Sequence, residues 1–249
     1  MFNAVYVLWL RQLKRYFRSR ARIVGSLGQP LLFLVALGYG LGPVFQQAGQ
    51  GNYLEFLIPG IVAMGILFTS VFSGIEIIWD RQFGFLKETL VAPVSRFEIM
   101  LGRTLGGATV SVLQGVLILL LSYVVGFSIT SLSSLLLALL FMFLISIAFT
   151  ALGTAIASSM NDFQGFQLIV NFVIMPLFFL SGALFPIDSL PSSLKLVVDL
   201  NPLSYGVDGL RGALLGTYHY GLPMDLLALS AFSLALLGLG SYLFSKIQL

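Results

Sequence analysis

Apolar runs about as long as a bilayer is thick recur along this chain, and that repetition leaves few folds open to it. A hydrocarbon core of about 30 Å needs roughly 20 residues of helix to cross it. Runs of that kind lie at 23–41, 53–78, 104–125, 132–158, 166–184 and 224–244. Backbone amides find no water at that depth, so only helices or a closed barrel can span. Barrel strands would alternate polar and apolar residues, and these runs do not. The composition agrees, with 58% of 249 residues hydrophobic and 9% charged, where a soluble domain carries about 25% charged. The expectation is an all-α integral membrane protein, one transmembrane domain over 1–249 with six transmembrane helices.

Where the charge sits organises the rest. Between residues 23 and 78 the only acidic or basic side chains are Glu55 and Glu76, and between 104 and 185 only Asp162. The stretch 80–98, DRQFGFLKETLVAPVSRFE, is the one well-charged segment in the middle of the chain. It reads as an inner handle. Phe83, Leu86 and Leu90 form one apolar stripe on a short helix that must stop before Pro93, and Ser95 and Glu98 have the spacing of a capping box that starts the next helix.

At the amino end, 1–22 reads as an amphipathic helix lying in the membrane interface. Phe2, Val5, Tyr6, Trp9, Leu13, Tyr16 and Phe17 recur at helical spacing, while Arg11, Lys14, Arg15, Arg18 and Arg22 fall opposite. The basic face is expected on anionic headgroups and the aromatic face in the acyl boundary. A solvated charge run is the other reading of the same pattern. No short apolar core with a small-residue cleavage site follows, so a signal peptide is not expected.

Spans one and two fill 23–79. Span one carries Gly25, Ser26, Gly28, Gly38, Gly40 and Gly42, small residues that let another helix approach and so suit a subunit interface. Pro59 is expected to kink span two. Spans three to five fill 99–184, with Gly102 and Gly106 before span three and Asn171 and Pro176 inside span five. Residues 185–223 are neither a plain loop nor a full span. Ser189 can cap one short helix there, Asn201-Pro202 breaks it, and a second helix runs to Gly216. This reads as an external re-entrant helical hairpin, with Asp208 and Arg211 able to pair at i, i+3. Span six and its tail occupy 224–249.

Basic residues give the orientation. With the amino end inside, the inner segments hold eleven of the 13 Lys and Arg and the outer ones two, Lys195 and Arg211. The positive-inside rule places both termini and the handle in the cytoplasm.

Much chemistry is missing. There is no cysteine and one histidine, His219, so thiolate and His-based metal sites are excluded. Neither a Walker A loop nor GxSxG nor HExxH occurs. No span has a charged residue near its middle, where ion-coupled carriers need one. Ser70, Ser73 and Asn171 are candidate pathway polar groups, although each reads more readily as a helix-packing hydrogen bond. Energy should therefore come from outside the membrane, with no catalytic residue and no metal in this chain.

Taken together, the interfacial helix, the six spans, KETLVAPVSR between spans two and three, and FPIDSLPSSLKLVVDLNPLSYGVDGLRGALLG before span six resemble the membrane subunit of a bacterial ABC-2 type exporter. The resemblance covers the whole chain and is greatest to the drug-export and nodulation-factor permeases. It implies a half-transporter in the bacterial or archaeal cytoplasmic membrane, two copies of this chain or this chain and a close relative working with two separate ATP-binding subunits that hold ATP and magnesium. Phe83, Gly84, Leu86, Lys87, Glu88 and Thr89 would then belong to a coupling helix, with Lys87, Glu88 and Thr89 facing the ATPase and Phe83 and Leu86 anchoring the helix. Read alone, Glu88 also fits a solvated surface carboxylate. Asn201 and Pro202, with Asp208 and Arg211 nearby, would form part of the outer gate. Membrane lipid is an expected partner and nucleic acid is not.

The expected cargo is amphipathic, since the chain has 22 Phe but few hydrogen-bonding groups in its spans. A polysaccharide or lipo-oligosaccharide exporter, a self-contained carrier and a structural scaffold are the competing readings.

Overall fold

The structure is a computed structural model and describes residues 2–48, 51–128 and 131–247. The side chains of Phe2 and Arg22, assigned above to faces of the first helix, lie outside the described residues. Among those described, every regular element is helical, and five helices are long and apolar enough to cross a membrane.

Helix α1 (Phe2–Arg18) leads through Ser19 into α2 (Arg20–Gln47). Helix α3 (Tyr53–Ser73) is capped by Asn52, whose side chain accepts the Leu54 N–H. Helix α3 carries Pro59 within it and ends at Gly74, where α4 (Ile75–Gln82) takes over. The cause is a close crossing with α7 (Leu132–Ser159), because a Cβ at Gly74 would strike the backbone of Gly153 and a Cβ at Gly153 would strike that of Val71. Small residues are what allow helix backbones to approach this far.

Gly84 then turns the chain with φ of 81°, a left-handed conformation that suits glycine, into α5 (Phe85–Val91). The capping box opens α6 (Arg96–Val124) as the spacing predicts. The Ser95 hydroxyl accepts the Glu98 N–H, and the Ser95 N–H donates to the Glu98 carboxylate at 2.9 Å.

Span five is shorter than its hydropathy suggests. Helix α8 (Phe163–Ile169), a π-helical turn (Val170–Ile174) and α9 (Met175–Phe179) make one apolar helix that stops before residue 184. The chain then turns through Gly182 and lays Ala183 against Gly60 of α3.

Helix α10 (Ser192–Asp199) has Pro191, not Ser189, at its cap position, and the Ser189 hydroxyl donates instead to the Pro186 carbonyl. Helix α11 (Pro202–Leu215) begins after Asn201 and ends at Gly216, both as read from the sequence. Residues 203–214 of α11 are all buried, against α3, α7 and α12 (Leu222–Ser245). So the two short helices expected over 185–223 both form, the first exposed and the second a core element. Asp208 and Arg211 of α11 do not pair.

The core centres on α3 and α7, where Ile61, Leu67, Phe141 and Phe149 are fully buried. Helices α2 and α12 are outermost, with most of their apolar residues uncovered.

Candidate functional site

The handle is held to the bundle by a cluster of opposite charges. Asp80, in the last turn of α4, is 4% exposed. One of its oxygens accepts from Arg11 of α1 at 3.0 Å and the other from Arg103 of α6. An unpaired carboxylate at such a site would cost several kcal/mol, so the two guanidiniums are what allow it to be buried. One turn earlier, Glu76 lies 3.5 Å from Arg15. The four-residue spacing of Glu76 and Asp80 on α4 matches that of Arg11 and Arg15 on α1, so the helices meet along two rungs. Arg11 also lies over the Phe85 ring at 5.9 Å, and Arg15 over the Trp79 ring at 5.3 Å.

Arg11 and Arg15 of α1 thus face acidic side chains of α4, while Arg18 is exposed. Much of the aromatic face packs on α6 instead of lipid. Trp9 Nε1 donates to Thr109 Oγ1 at 3.0 Å and the Tyr16 hydroxyl to Gln114 Oε1 at 3.0 Å. Gly102 and Gly106 of α6 lie directly under Val5, Leu8 and Gln12.

Two further arginines close helix ends. Arg81 donates to the carbonyls of Ser158 and Met160 at the end of α7, and Arg96 to those of Ser245 and Ile247 at the end of α12. The last carbonyls of a helix lack partners within it, and cations are favoured there. Sequence reasoning missed Asp80, Glu76, Arg81, Arg96 and Arg103 as structural groups. Their signal was the pairing of acidic and basic residues at the ends of apolar runs.

Within the handle, Leu86 is 2% exposed and seats α5 on the bundle. Lys87 and Glu88 point outward, and the Thr89 hydroxyl donates to the Phe85 carbonyl. Phe83 is 75% exposed and lies before α5, so it does not anchor that helix. Its expected role with Leu86 is corrected.

At the other end of the bundle, Asn201 ties α11 to the end of α9. Its side-chain oxygen accepts the Leu203 N–H, capping α11, and its amide donates to the carbonyls of Leu177, in the last turns of α9, and Leu180, just past it. Asp208 accepts the backbone N–H groups of His219 and Tyr220. Arg211 donates to the Gly182 carbonyl and stacks on Phe56 at 4.0 Å. Both partners of the expected pair are thus engaged elsewhere. Tyr220 donates to Asp199, and burial followed by that bond raises its phenol well above the ordinary value.

The three candidate pathway groups are not brought together. Ser70 is fully buried inside the bundle, Ser73 lines a cavity beside α1, and Asn171 is exposed on the π-helical turn, accepting from Gln167.

An ABC-2 type transporter family profile matches residues 3–215. The chain belongs to that family. A putative transport permease ycf38 of Cyanophora paradoxa is 31% identical over 83% of this chain and 72% of its own length. Nodulation protein J of Rhizobium leguminosarum bv. trifolii is 31% identical over 85% of this chain and 78% of its own. A ycf38 permease of Porphyra purpurea is 32% identical over 85% and 74%. The relatives are named for transport, and this ABC-2 chain is a multi-pass membrane protein whose match spans every element from α1 to α11.

Proposed function

We propose that this chain is the membrane-spanning subunit of an ATP-driven exporter that moves an amphipathic or apolar cargo, drug-like or lipid-linked, out across a bacterial or archaeal cytoplasmic membrane. Two ATP-binding subunits supply the energy and hold ATP and magnesium; this chain performs no hydrolysis. The excess of basic residues at the charged end of the bundle supports a cytoplasmic location for that end and both termini.

One observation carries the reading. Helix α5 is anchored at its base by Leu86 and, through Phe85 and Arg11, adjoins the Asp80 cluster that joins α1, α4 and α6, while Lys87 and Glu88 present a free outer face. A push on that face therefore reaches three helices at once. A second copy of the chain fits against α2, where a Cβ at Gly25, Gly28, Gly40 or Gly42 would meet nothing.

The test is ATP hydrolysis by a candidate ATP-binding subunit from the same organism, measured in lipid with and without this chain, for wild type and for Lys87→Ala with Glu88→Ala. Association and altered turnover, both lost in the double variant, are the expected result. If no ATP-binding subunit associates with the chain, the coupling role of α5 is wrong and a self-contained carrier takes first place.

A further inference from the structure

A cavity of about 240 Å³ lies in the half of the bundle next to the charged cluster, between α1, α2, α3 and α6. Its lining is divided by chemistry. Met64, Phe68, Phe72 and Pro30 form an apolar wall, and Gln12, Gln29 and Thr69 border it with side chains that have no hydrogen-bond partner among the described residues. The one acidic group in the lining, Glu76, is already matched by Arg15. Gly25 and Gln29 are exposed on α2, so the cavity opens past the first turns of that helix.

These carboxamides and this hydroxyl, part-buried or exposed at the rim of an apolar space, are placed to bond the polar head of a ligand whose body fills it. We infer that this cavity binds a small uncharged amphiphile, an aromatic or short-chain apolar body bearing an amide or hydroxyl head, within a single protomer. An uncharged ligand is inferred because, among the described residues, the lining holds no unmatched ion. The ligand is small because the volume is below the roughly 300–1,000 Å³ of ordinary small-molecule sites. The inference rests on the lining alone and holds whether or not the chain exports anything.

The probe is 4-benzoylbenzamide, an uncharged photoreactive aromatic amide, irradiated with the full-length chain in phospholipid nanodiscs and mapped by peptide mass spectrometry. Saturable labelling of the segment around Met64 and Phe68 is expected. Gly25→Phe, which fills the space from a position where a Cβ meets nothing, should abolish it. Gly28→Phe, on the same helix but outside the lining, should not. Thr69→Val should raise the half-saturating concentration about two- to tenfold, the effect of one hydrogen bond.

Adding a monoacylglycerol to the nanodiscs separates two sources of such a ligand. Displacement of the probe assigns the site to a membrane lipid, and retention to a free small molecule; either supports the site. Labelling that does not saturate, or that is unchanged in Gly25→Phe and equally strong on α12, would overturn it. ATP hydrolysis is not read in this experiment, so its failure leaves the coupling role of α5 untouched.

Discussion

Asp80 of α4 and Arg103 of α6 form an ion pair with both partners almost out of solvent, 4% and 5% exposed. Asp80→Asn should therefore destabilise the chain by about 3–5 kcal/mol, because it strands a buried guanidinium. Arg11→Ala removes the third member, whose side chain is 41% exposed, and should cost only about 0–1 kcal/mol. Thermal midpoints in detergent, followed by tryptophan fluorescence, would show the ordering. Equal losses would mean that α1, rather than the buried pair, holds the cluster.

Asn201 makes one bond as a cap and two as a donor. Asn201→Ala should cost about 2–3 kcal/mol, roughly one for the cap and about one for each carbonyl left without its donor. Asn201→Asp caps α11 equally well but cannot donate to Leu177 and Leu180. In the same unfolding measurement it should recover at most the cap, about 1 kcal/mol over the alanine variant. Full recovery by aspartate would show that the ties to span five contribute nothing.

Gly102 touches α1 closely, with a built Cβ only 3.0 Å from Leu8 Cβ and from the Val5 carbonyl oxygen. Gly102→Val should push α1 off α6 at a cost of about 1–3 kcal/mol. The readout is limited trypsin digestion, which should cut faster at Arg11, Lys14 and Arg15 while α6 stays intact. Gly28→Val, where nothing is near, should leave the digestion pattern unchanged.

The loop before α12 carries an alkaline dependence. Burial and the bond to Asp199 raise the folded-state pKa of Tyr220 above its ordinary value of about 10. Its contribution is therefore complete below about pH 10 and lost as pH rises from there toward the folded value. Wild type should lose stability above pH 10 more steeply than Tyr220→Phe in thermal scans across that range. Parallel curves would show that the phenol is as easily ionised in the folded chain as in the unfolded one.

Periodicity and punctuation carried much of the fold. The capping box at Ser95 and Glu98, the start at Asn201-Pro202 and the stop at Gly216 are local effects, set by side chains within a few residues, and each formed as read. What the sequence hid was the choice of neighbour. An apolar side chain satisfies lipid and protein equally, so the faces of α1 could not say that Trp9 and Tyr16 meet α6. Gly102 and Gly106 were the available hint. Arg11 and Arg15 likewise suit a phosphate or a carboxylate, and only the fold brings Asp80 and Glu76 to them. Gly74 looked unremarkable beside Pro59 because its need for close approach depends on Gly153, nearly eighty positions away.

The short fifth span sets a condition on the membrane itself. Seventeen residues, 163–179, rise about 25 Å, less than the hydrocarbon thickness of about 30 Å. Where that helix stops, Asn201 supplies to Leu177 and Leu180 the hydrogen bonds that water would otherwise give. If this helix crosses the bilayer, the membrane around it is expected to thin unless flanking residues or a second subunit take up the difference, at a cost of fractions of a kcal/mol per ångström. Lipids with shorter acyl chains should gather there, and a thick, sterol-stiffened membrane would be a poor host for this protein.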